Sequence, residues 1–214
     1  MSTTIVHLLR HGEVHNPDKI LYGRLPHYRL SELGQEMAAR VATHLHDGGH
    51  DITAVVASPL QRAQETAAPT AATYGLDIIT DERLIEAENY FEGKTFGVGD
   101  GSLRHPEHWP RLINPFRPSW GEAYKDQVAR MHAAVDAARE RARGHEALLV
   151  SHQLPIWIAR QAYEKKKLWH DPRKRECNLA SLTSLTFTND VLVAVNYSEP
   201  VADLYPGASR VAGA

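Results

Sequence analysis

A single cysteine, Cys177, stands among 214 residues, so the chain forms no internal disulfide and carries no cysteine-based zinc motif. That cysteine is expected to be an inert small side chain. No excess of one charge is present either. Lysine and arginine number 24 against 26 aspartates and glutamates, a formal balance of -2, which offers no bulk attraction to nucleic acid or to an anionic membrane. No apolar run approaches membrane-spanning length. Met1-Ser2-Thr3-Thr4 leads directly into an apolar stretch, without the charged and apolar regions of a secretory leader. The expectation from these absences is a cytoplasmic protein whose partner is a small molecule, not nucleic acid or membrane; a homodimer is compatible with them. An anionic ligand must then be met by a local cluster of cations.

The chain is 43% apolar and of a length that suits one domain over 1–214. Strand and helix signals alternate. Residues 4–9, 52–57 and 146–150 are short apolar runs that read as strands, and 76–80 is a third strand in chain order. Leu33, Met37, Val41 and Leu45 recur at helical spacing after Ser31, a suitable N-cap, and Gly48-Gly49 ends the run. Ser58-Pro59 opens a second helix, which Pro69 is expected to kink or end. Residues 121–143 carry Val128, Met131, Val135 and Ala138 on one helical face, and 154–163 form a short helix. Residues 182–187 and 191–196 read as a terminal hairpin. This alternation predicts an α/β fold: a three-layer α/β/α sandwich with a mostly parallel central sheet and an antiparallel edge strand. The tail after Glu199 is expected to fray.

Four segments carry the chemistry. They are Leu9-Arg10-His11-Gly12-Glu13, the run from Ser58 to Ala67 (Ser-Pro-Leu-Gln-Arg-Ala-Gln-Glu-Thr-Ala), Leu84-Ile85-Glu86, and Val150-Ser151-His152. The first, second and fourth fall at the carboxyl ends of predicted strands, where ligands sit in open α/β sheets. Two guanidiniums, two imidazoles and a carboxylate suit phosphoryl transfer. The guanidinium fork matches phosphate oxygens in a way lysine does not. Cations beside an imidazole oppose its protonation and so keep it nucleophilic.

These segments, in this order, resemble the histidine phosphatase superfamily, the phosphoglycerate mutase-like group of phosphatases and mutases. The resemblance implies that His11 is the nucleophile that becomes phosphorylated. It implies that Arg10 and Arg62 bind the phosphoryl oxygens, that His152 bonds the same group, and that Glu86 is the proton donor. Asn16 and Gly23, on the loop after the nucleophile, would help to line the pocket. Neither a metal nor another cofactor is implied. The chain departs from the usual pattern at Val14, where threonine is common, at Gln153, where glycine often follows the second histidine, and at Ala123, where serine is usual after Gly-Glu. The spacing after Glu86 is one residue short, which leaves Glu88 as a rival acid.

Glu86-Ala87-Glu88-Asn89-Tyr90 lacks the arginine that the familiar mutases carry beside the acid, so a phosphatase is the expected activity, with mutase transfer and a non-catalytic phospho-ligand module as alternatives. Residues 87–120 fit no period and hold Tyr90, Phe91, Trp109, Phe116, Trp120 and four prolines. Such a segment reads as an insertion that covers the site and shapes substrate choice. Its aromatics favour a partly apolar substrate body; Arg104, Arg111 and Arg117 favour a second anionic group. The pairs His105/His108 and His44/His46 read as solvated surface, as does the basic stretch from Lys165 to Arg175, for which contact with an anionic ligand or nucleic acid is the alternative.

Overall fold

A computed structural model of the chain describes residues 2–98, 101–114 and 118–208. Six strands form one sheet: β1 (Thr3–Arg10), β2 (Ile52–Ala57), β3 (Ile78–Thr80), β4 (Glu146–Ser151), β5 (Leu182–Thr188) and β6 (Val191–Ser198), in the order β3-β2-β4-β1-β5-β6. The four strands from β3 to β1 are mutually parallel, whereas β5 and β6 are antiparallel. The expected antiparallel edge is therefore two strands wide.

The helices are α1 (Glu32–Asp47), α2 (Gln61–Tyr74), α3 (Tyr124–Arg141) and α4 (Gln153–Tyr163). They cover the two faces of the sheet. Met37, Val41 and Leu45 of α1 and Ala63, Ala67 and Ala71 of α2 pack on Leu9, Val55, Leu148 and Val150. Met131, Val135 and Ala138 of α3 and Ile156 and Ala159 of α4 pack on Val6, Leu8, Val56 and Leu149. Alternate residues of β4 thus serve opposite cores, as the period of a strand requires, and the fold is a three-layer α/β/α sandwich.

Three local expectations are corrected. Pro69 does not end α2. The helix runs on to Tyr74 because Thr66, Ala67, Thr70 and Ala71 keep its inner face buried, and Gly75 ends it in the left-handed region at φ 64°. Ser58-Pro59 lies before that helix, whose first residue is Gln61. The tail does not fray at Glu199. A 3-10 segment at Ala202–Gly207 packs Leu204 and Tyr205 against the core, and Asp203 pairs with Arg40 at 2.6 Å. Residues 209–214 lie outside the described residues. Among the described residues no helix is long and apolar enough to cross a membrane.

Candidate active site

The parallel registers bring the motif residues to one level. Arg10 of β1 lies opposite Ser151 of β4, and Ala57 of β2 lies opposite Val150. Arg10-His11, Ser58 and Ser151-His152 therefore leave the sheet side by side. The loop after β1 rests on the start of α1 through backbone contact. A β-carbon on Gly12 would stand 2.6 Å from the Gly34 carbonyl oxygen, and one on Gly34 would stand 2.0 Å from that of Glu13. Only glycines permit that approach. The rest of the second motif holds the loop. Thr66 Oγ1 accepts from the Gly12 amide at 3.1 Å, and Glu65 accepts from the Leu30 amide at 2.7 Å.

His11 is fully buried. Its Nδ1 lies 2.8 Å from the Gly12 carbonyl oxygen, so the proton sits on Nδ1 and the Nε2 lone pair is free. Burial first, then Arg62 and Arg10, hold its pKa well below the ordinary histidine value. The ring is therefore neutral and nucleophilic. His152 is equally buried, with ring centroids 5.2 Å apart. Its pKa is also lowered well below the usual value, by burial and then by Arg62 and His11. The ring is therefore neutral.

Arg62 donates to the Gly23 carbonyl at 2.5 Å and lies over the Tyr22 ring at 4.7 Å. Arg10 donates to the Cys177 carbonyl at 2.8 Å. Glu86 is 3% exposed, and burial raises its pKa against the opposing Ala87 amide and Arg62. Arg130 donates to the Arg83 and Ile85 carbonyls, and Arg24 to that of Glu86, which fixes the segment in place. The rival Glu88 is exposed and paired with Arg24 at 3.0 Å, whereas Glu86 is buried.

Of eleven buried side-chain polar atoms with no hydrogen-bond partner among the described residues, five lie together here: Arg10 Nε, His11 Nε2, Arg62 Nε, Glu86 Oε2 and His152 Nδ1. They belong to the five residues that the four motifs singled out. Three positive or donor groups, one nucleophilic lone pair and one acid are what a tetrahedral anion and its leaving group need. The histidine phosphatase superfamily (branch 1) profile matches residues 6–200 of this chain.

The chain belongs to the histidine phosphatase superfamily.

It is 59% identical over 199 residues to the uncharacterized protein Rv0525 of Mycobacterium tuberculosis, covering 93% of this chain and 98% of that protein. It is 32% identical over 174 residues to a probable phosphoglycerate mutase, GpmB, of Shigella boydii, covering 73% and 78%. Among solved structures, Bacillus stearothermophilus YhfR superposes with a TM-score of 0.73 at 28% identity, over 90% of this chain and 96% of that one. The mycobacterial glucosyl-3-phosphoglycerate phosphatase Rv2419c, solved with VO3, superposes at 0.69 with 26% identity, over 92% and 97%.

In this histidine phosphatase homologue a cavity of about 700 Å³ stands over the site, lined among others by Arg10, Tyr22, Gly23, Glu86 and Trp120. Asn16 also reaches it, but its amide closes its own loop by bonding both ends to Ile20. Gly23 serves chiefly through the carbonyl that holds Arg62. The insertion contributes Val98, Pro118 and Trp120 to the cavity, whereas Trp109 is 54% exposed and bonds Leu103 instead. Arg111 lies over the Tyr90 ring, and neither it nor Arg104 lines the cavity. Pro115, Phe116 and Arg117 lie outside the described residues.

Sequence reasoning missed two features. The basic stretch is not all solvated surface. Lys165, Lys166 and Lys167 are exposed, but Arg173 and Arg175 line the cavity. Two basic residues flanking a lysine give no local sign of which one turns inward. The second lies at the amino end of β4, remote from the site, where His7, His50 and Glu146 bring ligand-type atoms within 4.8 Å of one another. Each already has a protein partner: Glu146 Oε2 lies 2.7 Å from His7 Nε2 and 2.8 Å from His50 Nδ1, while Ser184 Oγ meets His7 Nδ1 at 2.7 Å. The pairs considered from sequence are occupied otherwise: His105 stacks on Phe96 at 3.8 Å, and His46 meets Asp47.

Proposed function

We propose that this protein is a cytoplasmic phosphomonoester phosphatase that works through a phosphohistidine on His11 and assigns no step to a metal. The observation that carries this reading is the set of five unpartnered polar atoms on Arg10, His11, Arg62, Glu86 and His152. In the first half-reaction His11 Nε2 attacks phosphorus in line, and the P–O ester bond breaks. Arg10, Arg62 and the His152 N–H hold the equatorial oxygens as charge redistributes. Glu86 gives its proton to the departing alkoxide. In the second, Glu86 takes a proton from water as that water attacks phosphorus; the P–N bond breaks, and His11 and inorganic phosphate are released.

A second reading is favoured by one comparison, the relative called a probable phosphoglycerate mutase. Transfer of the phosphoryl group to another hydroxyl shares the first half-reaction. The test is to quench the protein with a labelled phosphomonoester and follow the label. The phosphatase reading expects acid-labile, alkali-stable label on the wild type, none on H11A, and release of inorganic phosphate. Label recovered on a second hydroxyl selects the mutase reading. H11A turning over as fast as the wild type overturns both.

A further inference from the structure

Outside the cavity, Arg24, Arg83, Arg130 and Arg160 each meet a carboxylate, and Arg29, Arg104, Arg111 and Arg141, which have no ion pair among the described residues, are exposed to water. Three arginines of the site meet no carboxylate. Arg10, Arg62 and Arg175 have no ion pair among the described residues, and their partners are neutral acceptors. Arg10 is held by the Cys177 carbonyl and Arg62 by the Gly23 carbonyl. Arg175 donates through Nε to His170 Nε2 at 2.8 Å and through Nη1 to Gln153 Oε1 at 3.3 Å. His170 is a neutral acceptor: its Nδ1 meets the Leu168 carbonyl at 2.7 Å, and burial brings its pKa down to about 4.

A guanidinium drawn out of bulk water without a counter-charge is costly unless an anion completes it. Neutral acceptors orient the fork and leave its charge for that anion. Arg10 and Arg62 already suffice for the phosphoryl group, so Arg175 is a surplus cation. It is close to the reacting centre. Gln153 joins it to the Cys177 carbonyl that also holds Arg10, and both Glu86 and Arg10 act on it electrostatically. Its neighbour Arg173 does not compete, being exposed and paired with Asp171 at 2.8 Å. Of the four carboxylates on the cavity wall, Glu88 and Glu122 are engaged by Arg24 and Arg130, Glu13 accepts from the Ser31 hydroxyl, and Glu86 acts on Arg175 electrostatically without an ion pair to it.

We propose that Arg175 binds a second oxyanion of the substrate, a carboxylate or a second phosphate, joined by a short spacer to the phosphoryl group held by Arg10 and Arg62. The substrates are then phosphomonoesters with two anionic ends, and Arg175 is the residue that selects them. The inference rests on the reading that Arg10 and Arg62 hold the transferring phosphoryl group.

The test compares propyl phosphate, 3-(phosphonooxy)propanoate and propane-1,3-diyl bisphosphate. The readout is the ratio of kcat/KM for each doubly anionic ester to that for propyl phosphate. The wild type should show a ratio of about ten to a hundred for one of the two, the size of a charge-assisted contact. The ester that shows it identifies the second group. In R175Q the ratio should fall to about one, and in R175K it should lie between. A wild-type ratio near one, or a ratio unchanged in R175Q, overturns the proposal; the latter would mean that Arg175 serves the phosphoryl group itself. Should R175Q fail to fold by circular dichroism, R175K decides on the same criterion. Should the wild type turn over none of the esters, the phosphatase reading fails alone. Calorimetric Kd ratios for the same three ligands then decide the role of Arg175 by the same comparison.

Discussion

The Oγ of Ser58 lies 2.8 Å from Nε2 of His152. The same hydroxyl accepts from the Leu60 amide at 3.4 Å, which leaves its proton free to be donated to the imidazole. With the serine as donor, the single N–H of a neutral His152 lies on Nδ1. That atom has no protein partner and lies on the ring beside His11. The opposite tautomer would present a lone pair to an incoming dianion.

Ser58→Ala should therefore lower kcat/KM by about tenfold to a hundredfold, the cost of leaving a buried acceptor unpaired and the tautomer unset. Nitrogen-15 chemical shifts of His152 should report mixed tautomers. An unchanged rate together with an unchanged tautomer would refute this account of the serine.

Glu86 and His11 should set opposite limbs of the pH profile. The lowered pKa of His11 means that activity is lost only as pH falls through that depressed value, when the nucleophile protonates. The raised pKa of Glu86 means that activity is lost as pH rises through it, when the acid has no proton to give. E86Q should abolish the upper limb. Its loss should be larger for alkyl phosphates, whose leaving groups need a proton, than for p-nitrophenyl phosphate. Equal losses on both would remove Glu86 from the acid role.

Trp120 and Trp109 should separate. Trp120 lines the cavity and Trp109 does not. Trp120→Ala should change relative kcat/KM across esters with apolar bodies of different size, and Trp109→Ala should leave the ranking as it is. Specificity profiles that shift equally for both variants would show that the insertion acts as a whole.

Glu146 should make stability depend on pH. Hydrogen bonds from His7 and His50 outweigh its burial and hold its pKa down to about 2, against an ordinary value of 4.5. A depressed carboxylate contributes stability that is fully present above the unfolded value and is lost as pH falls from about 4.5 towards 2. E146Q should lower the urea midpoint at pH 7, and its difference from the wild type should shrink below about pH 4. A gap that stays constant between pH 7 and pH 3 would contradict the linkage.

Much of the site was legible because its residues sit in frames whose local chemistry is fixed. Arg10-His11-Gly12 ends a strand, the tight approach of Gly12 to Gly34 admits no side chain, and Glu65 and Thr66 stay in the second motif because they brace the loop. The choice between Glu86 and Glu88 was open in the sequence, where the two differ only by position. Burial separates them, and burial is a property of the packed molecule. Pro69 misled for a related reason. A proline weakens a helix locally, but the apolar face of α2 gains more from packing than the missing hydrogen bond costs.

Taken alone, the order of residues determined the alternation of strands and helices, the motifs that carry Arg10, His11, Arg62, Glu86 and His152, and the family to which the chain belongs, since these depend on periodicity and short-range motif. Which charges stay unpaired was decided only by the fold. Arg173 and Arg175 stand two positions apart in one basic run and both border the cavity, yet one stays exposed and is paired with Asp171, whereas the other is held by the neutral acceptors His170 and Gln153. Whether a charge is screened or kept for a ligand depends on what stands within a few ångströms of it, and those neighbours come from distant parts of the chain.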